Sequence, residues 1–217
     1  MTLSDRQKNI LERVVGEYVK KASPISSQLL EEEYEFGFSS ATIRNELQLL
    51  TERGYLFQPH ISAGRVPTDK GYRFLADEFL EQTQGSLQEI QIADHFSLMQ
   101  ELSEACSGLA LAYNDRTLWK QGWEELLQEP EFEEGASIKS LMQFIRDTEK
   151  HIEDLKAETL IGLYIGKENP FSKVQNFSII FSVFPEASCG VIAIVGPTRM
   201  AYDKNINIFR ELLYAKR

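Results

Sequence analysis

The hexapeptide Ser40-Ala41-Thr42-Ile43-Arg44-Asn45 carries the side chains of this chain best suited to specific chemistry, and that chemistry is recognition rather than bond making. Arginine pairs with guanine O6 and N7, asparagine with adenine N6 and N7, and alanine or a threonine methyl packs on a thymine methyl. Reading bases requires these groups on one exposed face. With Ser39 or Ser40 as N-cap, Ile43, Leu47 and Leu50 fall at i, i+4 and i+7, which predicts a short helix with one buried stripe. Ser40, Ala41, Thr42, Arg44 and Asn45 then lie off that stripe, beside a helix N-terminus whose N–H groups suit a phosphate. The plainer reading of the helix alone is a polar face that meets only water.

The next residues favour the nucleic-acid reading. Tyr55-Leu56-Phe57 reads as a short strand and Arg65-Val66 as its partner. The turn runs from Gln58 to Gly64, with Pro59 ending the ladder and Gly64 free to take positive φ. Arg65 then stands where a wing side chain reaches phosphate or the minor groove. From Phe36 to Arg73 five basic residues (Arg44, Arg53, Arg65, Lys70, Arg73) face three acidic ones (Glu46, Glu52, Asp69), and Lys70 joins the candidate DNA contacts. The whole chain, at a formal net charge of −10, is no indiscriminate polyanion binder. So small a local excess predicts two copies on two half-sites.

Other chemistry finds little support. His60, His95 and His151 are scattered, and Cys106 and Cys189 lack metal-ligand spacing, so neither a metal site nor a disulfide framework is expected. Glu124-Glu125 and Glu133-Glu134 read as solvent-facing pairs. Gly166-Lys167 lacks the rest of a phosphate loop. Gly196-Pro197-Thr198-Arg199 before a helix is the one candidate anion or ligand site, through Thr198 and Arg199. Its alternative is a strand-to-helix cap with Arg199 in a structural ion pair. No cofactor and no enzymatic activity are expected. No long apolar run and no signal-peptide pattern appear, so a cytoplasmic protein without a membrane partner is expected.

The periodicity predicts an α+β chain. Ser4 and Gln7 form a capping box for a first helix to about Lys21, and Ser23-Pro24-Ile25-Ser26 turns into a second helix ending in Glu31-Glu32-Glu33. That acidic run is expected to point away from phosphate. Pro67-Thr68 caps a helix through about Glu81. Three domain segments follow: a winged helix-turn-helix over 1–81, a linker over 82–86, and a second domain over 87–217. In the second, helices are expected over 87–112, over Thr117–Leu127 with Trp119 and Trp123, and over 137–156 capped by Ser137. Strands are expected over Thr159–Ile165, Val174–Phe184 and Cys189–Val195, with a turn at Pro185–Ser188. A closing helix over Tyr202–Tyr214 buries Ile206, Phe209, Leu212 and Leu213. The result is a small antiparallel sheet covered on one face by helices, some of whose apolar surface serves a dimer.

With both parts in view the chain closely resembles the HrcA family of bacterial heat-inducible transcription repressors. The resemblance is carried by Pro24-Ile25-Ser26-Ser27, Ser40-Ala41-Thr42-Ile43-Arg44-Asn45-Glu46, Gly54-Tyr55-Leu56, Gln58-Pro59-His60 and Ser62-Ala63-Gly64-Arg65-Val66-Pro67-Thr68-Asp69-Lys70-Gly71-Tyr72-Arg73. It continues through Gln128-Glu129-Pro130-Glu131-Phe132, Ile165-Gly166-Lys167-Glu168-Asn169 and Gly196-Pro197-Thr198-Arg199-Met200-Ala201-Tyr202. The resemblance implies a winged helix followed by a GAF-like domain with a dimerising insertion. It also implies a dimer on an inverted-repeat operator in double-stranded DNA ahead of chaperone genes, and a functional link to the GroE chaperonin. On this chain it places Ser40, Ala41, Thr42, Arg44 and Asn45 at bases or phosphate, and His60, Ser62, Gly64 and Arg65 in the wing. One departure stands out: Leu102–Asn114 passes almost directly to Trp119–Phe132 where the family has a long strand-containing stretch. A reduced GAF-like domain of three strands is therefore expected. Two other functions compete: a small-molecule sensor built on the second domain, and a winged helix that docks a protein.

Overall fold

Each of the first three helices starts on a serine whose hydroxyl accepts a backbone N–H that the helix itself cannot satisfy. The computed structural model describes residues 3–81, 95–114, 116–133, 135–155, 160–183 and 190–214, and the chain divides into two compact units, Met1–Leu75 and Ala76–Arg217. In the first, α1 (Asp5–Lys21) begins with Ser4 Oγ accepting the Gln7 N–H and Gln7 Oε1 accepting the Ser4 N–H, both at 3.3 Å. It ends where Ala22 turns left-handed at φ 49°. Helix α2 (Ser27–Glu33) is capped by Ser26 and α3 (Ser40–Glu52) by Ser39. Ile10, Leu11 and Val14 of α1, Leu30 of α2, and Ile43, Leu47 and Leu50 of α3 close one core with Ile25, Tyr55 and Leu56.

After Gly54, which takes φ +76°, strands β1 (Leu56–Phe57) and β2 (Val66–Pro67) pair antiparallel, Leu56 opposite Pro67 and Phe57 opposite Val66. A third extended segment joins them. Ile25 bridges Arg65, with Ile25 N–H donating to Arg65 O at 2.9 Å and Arg65 N–H donating to Ile25 O at 2.7 Å. This explains Gly64 differently from the sequence expectation. Its φ is not positive; a Cβ there would lie 2.4 Å from the Ile25 carbonyl carbon and oxygen, so glycine permits close approach of two backbones. Helix α4 (Asp69–Glu81) starts with Thr68 Oγ1 accepting the Gly71 N–H at 3.2 Å. The expected linker, 82–86, lies outside the described residues.

The second unit holds α5 (His95–Cys106), β3 (Leu109–Asn114), β4 (Thr117–Gln121), α6 (Trp123–Leu127), a 3-10 turn at Pro130–Phe132, and α7 (Gly135–Lys150). A second 3-10 turn at Ile152–Asp154 follows, then β5 (Gly162–Ile165), β6 (Phe177–Val183), β7 (Val191–Pro197) and α8 (Tyr202–Tyr214). The strands form one antiparallel sheet in the order β4-β3-β7-β6-β5. Odd-numbered side chains (Leu109, Leu111, Phe177, Ile179, Phe181, Ala193, Val195) pack with Leu126 of α6, Phe132, and Leu141, Phe144 and Ile145 of α7. The alternate residues Ala110, Ala112, Ile180, Ile192 and Ile194 are buried too, and α5 packs on β3, β4, β7 and α8, so helices cover both faces.

Several expectations are corrected here. The sheet has five strands rather than three and is covered on both faces rather than one. The helix expected to 112 stops at Cys106; Ser107 turns left-handed at φ 51°, and the apolar run Leu109–Ala112 becomes a strand buried on both sides. Such a run fits helical spacing as well as strand, so periodicity could not decide it. The helix expected from Thr117 divides into β4 and the short α6 at Gly122, whose φ is +96°. Helix α7 starts at Gly135, which puts Ser137 inside the first turn rather than at the cap, and it ends at Lys150 rather than 156. Residues 87–94, the Pro185–Ser188 turn and the side chains of Leu212 and Leu213 lie outside the described residues.

Candidate nucleic-acid interface

The exposed stripe of α3 runs through Ala41, Arg44, Asn45, Gln48 and Glu52, at i, i+3, i+4, i+7 and i+11. Ser40 and Thr42 are half-buried at its start. Arg44 and Asn45 make no hydrogen bond or ion pair among the described residues, so their donors and acceptors face solvent uncommitted. A polar network that the sequence reading missed holds this helix. Gln7, buried on α1, donates from Nε2 to Glu46 Oε2 and accepts from Arg53 Nη1, each at 3.0 Å, while Arg6 pairs with Glu46 at 3.5 Å. One buried amide thus ties α1 to the middle and the C-terminal end of α3. Its only sequence signal was the capping-box position, which explains Ser4 and not the long-range partners.

The start of α3 differs from the expectation of a free anion site. Ser39 Oγ takes the Thr42 N–H at 3.4 Å, and Glu31 Oε1 takes the Ser40 N–H at 3.0 Å. The acidic run therefore does not point wholly away: Glu31 lies where an incoming phosphate would approach, and its charge opposes one.

Arg65 lies against α3 instead of extending from the hairpin. Its Nε donates to Thr51 Oγ1 at 3.0 Å and its Nη2 to Gln48 Oε1 at 3.2 Å, and partial burial lowers its pKa. The structure thereby brings Arg65, Arg44, Asn45 and Gln48 to one surface. His60 and Ser62 are exposed on the loop between β1 and β2, with Ile61 98% exposed between them and Gly64 at the base beside Ile25. The loop is braced from within, since Gln58 Nε2 donates to the carbonyls of Ile61 and Ala63, both at 2.9 Å. Lys70 goes elsewhere. Its Nζ donates to Arg53 O at 2.7 Å and sits 4.3 Å from the Tyr55 ring centroid, at the C-terminal end of α3. Gln48 was legible as a candidate by its spacing from Arg44 and Asn45; Glu31 and Gln7 were not.

In the second unit, Arg199 is 8% exposed and donates to both oxygens of Glu131, at 2.7 and 3.0 Å, and to Glu129. Burial alone would lower its pKa, but the two carboxylates raise it and hold the charge. Thr198 Oγ1 turns to Gln175 O at 3.4 Å. The protein's own carboxylates thus occupy the guanidinium proposed for an anion, and the structural ion pair is the observed alternative. Among the described residues no three His, Cys, Asp or Glu side chains converge as metal ligands, and no helix is long and apolar enough to cross a membrane. Cys106 is buried, which pushes its thiol up to about 12.

The sequence profile of the HrcA protein C terminal domain matches residues 72–206. The chain belongs to the HrcA family. A heat-inducible transcription repressor HrcA from Natranaerobius thermophilus is 24% identical over 327 positions, which cover 98% of this chain and 95% of that protein. With 217 residues here, about a third of that alignment is gaps in this chain. HrcA repressors from Caldanaerobacter subterraneus and Acetivibrio thermocellus are 56% and 48% identical over 81 and 90 residues. Those matches span about a quarter of each relative's length. A crystal structure described as that of a hypothetical protein superposes with a TM-score of 0.79 at 23% identity, covering 97% of this chain and 95% of that one. This similarity extends the fold over both units; it carries no activity.

Proposed function

We propose that this HrcA-family chain is a sequence-specific transcriptional repressor whose first unit is a winged helix, with α3 as the recognition helix and the β1–β2 hairpin as the wing. One observation carries the reading: Arg44 and Asn45 stand open on the face of α3 against which Arg65 lies. Bases are read in the major groove by Arg44 and Asn45, with Ala41 and Thr42 on methyl groups or phosphate and His60 and Ser62 beside the backbone. The second unit is a GAF-like dimerising domain. Because the chain is acidic overall and the reading face only weakly basic, one copy binds weakly, and a dimer on an inverted repeat gains by local concentration. Repression is steric: two heads on the operator block polymerase at heat-shock chaperone genes, and the GroE chaperonin is the proposed partner that modulates binding.

The test begins with footprinting of the DNA upstream of this gene and of chaperone operons. On the protected operator, Arg44→Ala weakens binding by about 1–3 kcal/mol and leaves a scrambled duplex nearly unaffected. Equal loss on both duplexes would reduce Arg44 to a phosphate clamp. Light scattering at micromolar concentration checks the dimer, and a monomer there removes that part of the reading.

A further inference from the structure

Gln48 stands one helical turn beyond Arg44 on the exposed stripe of α3, and its amide is held from both sides. Oε1 accepts from Arg65 Nη2 at 3.2 Å, and Nε2 donates to Glu52 Oε1 at 3.0 Å. A guanidinium only donates and a carboxylate only accepts, so the reversed amide would set N–H against N–H and oxygen against oxygen. Chemistry therefore fixes which way the group points. Arg65 is itself anchored: Nε donates to Thr51 Oγ1, Thr51 Oγ1 donates to Leu47 O at 2.8 Å, and the Arg65 backbone is bridged to Ile25. A primary amide offers two N–H donors and two lone pairs, and this network uses one of each. What remains, one donor and one acceptor, is the set that adenine N7 and N6 complement.

We infer that Gln48 is a specificity-determining residue that reads an adenine in the major groove, and that Arg65 is the positioning residue that holds its amide ready. This rests on the first unit being the DNA-binding module. Seven residues separate Ala41 from Gln48, a rise of about 10 Å along the helix. That span is about three base steps at 3.4 Å each, so Gln48 reads the far end of the same half-site. Arg65 acts on sequence through this amide rather than by clamping phosphate.

The test is selection from duplexes carrying a randomised segment, using the full chain, followed by binding titrations on the selected site and its single-base variants. Wild-type protein enriches a motif with an adenine that Gln48→Ala no longer distinguishes, a loss of roughly tenfold in discrimination at that base pair alone. Gln48→Glu moves the preference there towards cytosine, whose N4 amino group donates. Arg65→Met loses discrimination at the same base pair, adds little to Gln48→Ala in the double variant, and leaves the salt dependence unchanged. Circular dichroism confirms that each variant keeps its helices. If Gln48→Ala selects the wild-type motif undiminished, or Arg65→Met weakens all sequences alike with a shallower salt slope, the inference is overturned while the DNA-binding reading stands. If wild-type protein enriches no motif, both fall.

Discussion

A single methyl group at Gly64 should unseat the β1–β2 hairpin. In Gly64→Ala the new Cβ would lie 2.4 Å from the Ile25 carbonyl carbon and oxygen and 2.7 Å from its nitrogen. All three are backbone atoms, so no flexible side chain can yield, and the Ile25–Arg65 bridge must open. Its two backbone hydrogen bonds, 2.9 and 2.7 Å, are lost or stretched. Each contributes about 1 kcal/mol net, and more if a partner is left buried and unsatisfied. Ile25, only 1% exposed in the core, shifts as well. Together these give about 2–4 kcal/mol. In a unit of this size 1 kcal/mol moves Tm by about 4–8 °C, so a fall of roughly 15 °C is expected. Gly16→Ala, in α1, is the matched control, because a Cβ there meets nothing within 4 Å. It removes a helix-interior glycine and should stabilise by about 0.5–1 kcal/mol. Far-UV circular dichroism or calorimetry on the full chain measures both, since Trp119 and Trp123 lie in the second unit and report only there. A Gly64→Ala chain that melts with the wild type would refute the close-approach argument, as would a Gly16→Ala chain that loses as much stability as Gly64→Ala.

Two further outcomes follow from the charges around α3 and α1. Glu31→Gln keeps an acceptor for the Ser40 N–H but removes a negative charge from the start of α3, the end that meets phosphate in the proposed complex, so DNA affinity should rise several-fold at low salt, about 0.5–1 kcal/mol. Anisotropy titrations at two ionic strengths show the gain shrinking with salt; weaker binding would mean the carboxylate matters chiefly for holding α3. Glu17 is buried against Lys21, Tyr34 and Lys20, which lower its pKa from 4.5 to about 2. A depressed folded-state pKa stabilises above the unfolded value, so this contribution is complete above about pH 5 and is lost as pH falls from 4.5 towards 2. Denaturant titrations of Glu17→Gln should show lower stability at neutral pH and a flatter profile across that acid window. An unchanged acid profile would show that Glu17 is not held by its basic neighbours.

How legible the chain was depended on how far apart the interacting residues stand. Ser4 with Gln7, Ser26 with Leu29 and Ser39 with Thr42 act across three positions, so composition and spacing alone placed the starts of α1, α2 and α3. The strand-rich end of the second unit was legible for the same reason, because Phe177–Val183 and Val191–Pro197 are dense in β-branched and aromatic side chains. By contrast, Leu109–Ala112 and Thr117–Gln121 carry patterns that suit helix and strand alike. Leu109–Ala112 is made a strand by pairing with β7, some 80 residues later, and Thr117–Gln121 by pairing back on β3.

The sequence by itself determined the helices of the first unit, the buried stripe of α3 and therefore the side of α3 left exposed, because these follow from local caps and a 3.6-residue period. Tertiary structure alone decided where the functional charges go. Arg65 is carried onto Gln48 by a backbone bridge to Ile25, Lys70 is turned to the Arg53 carbonyl, Glu31 is set over the start of α3, and Arg199 is claimed by Glu129 and Glu131 nearly 70 residues away. A long charged side chain goes wherever the folded chain offers an opposite charge or a free acceptor, and that is settled by distant backbone meeting in space.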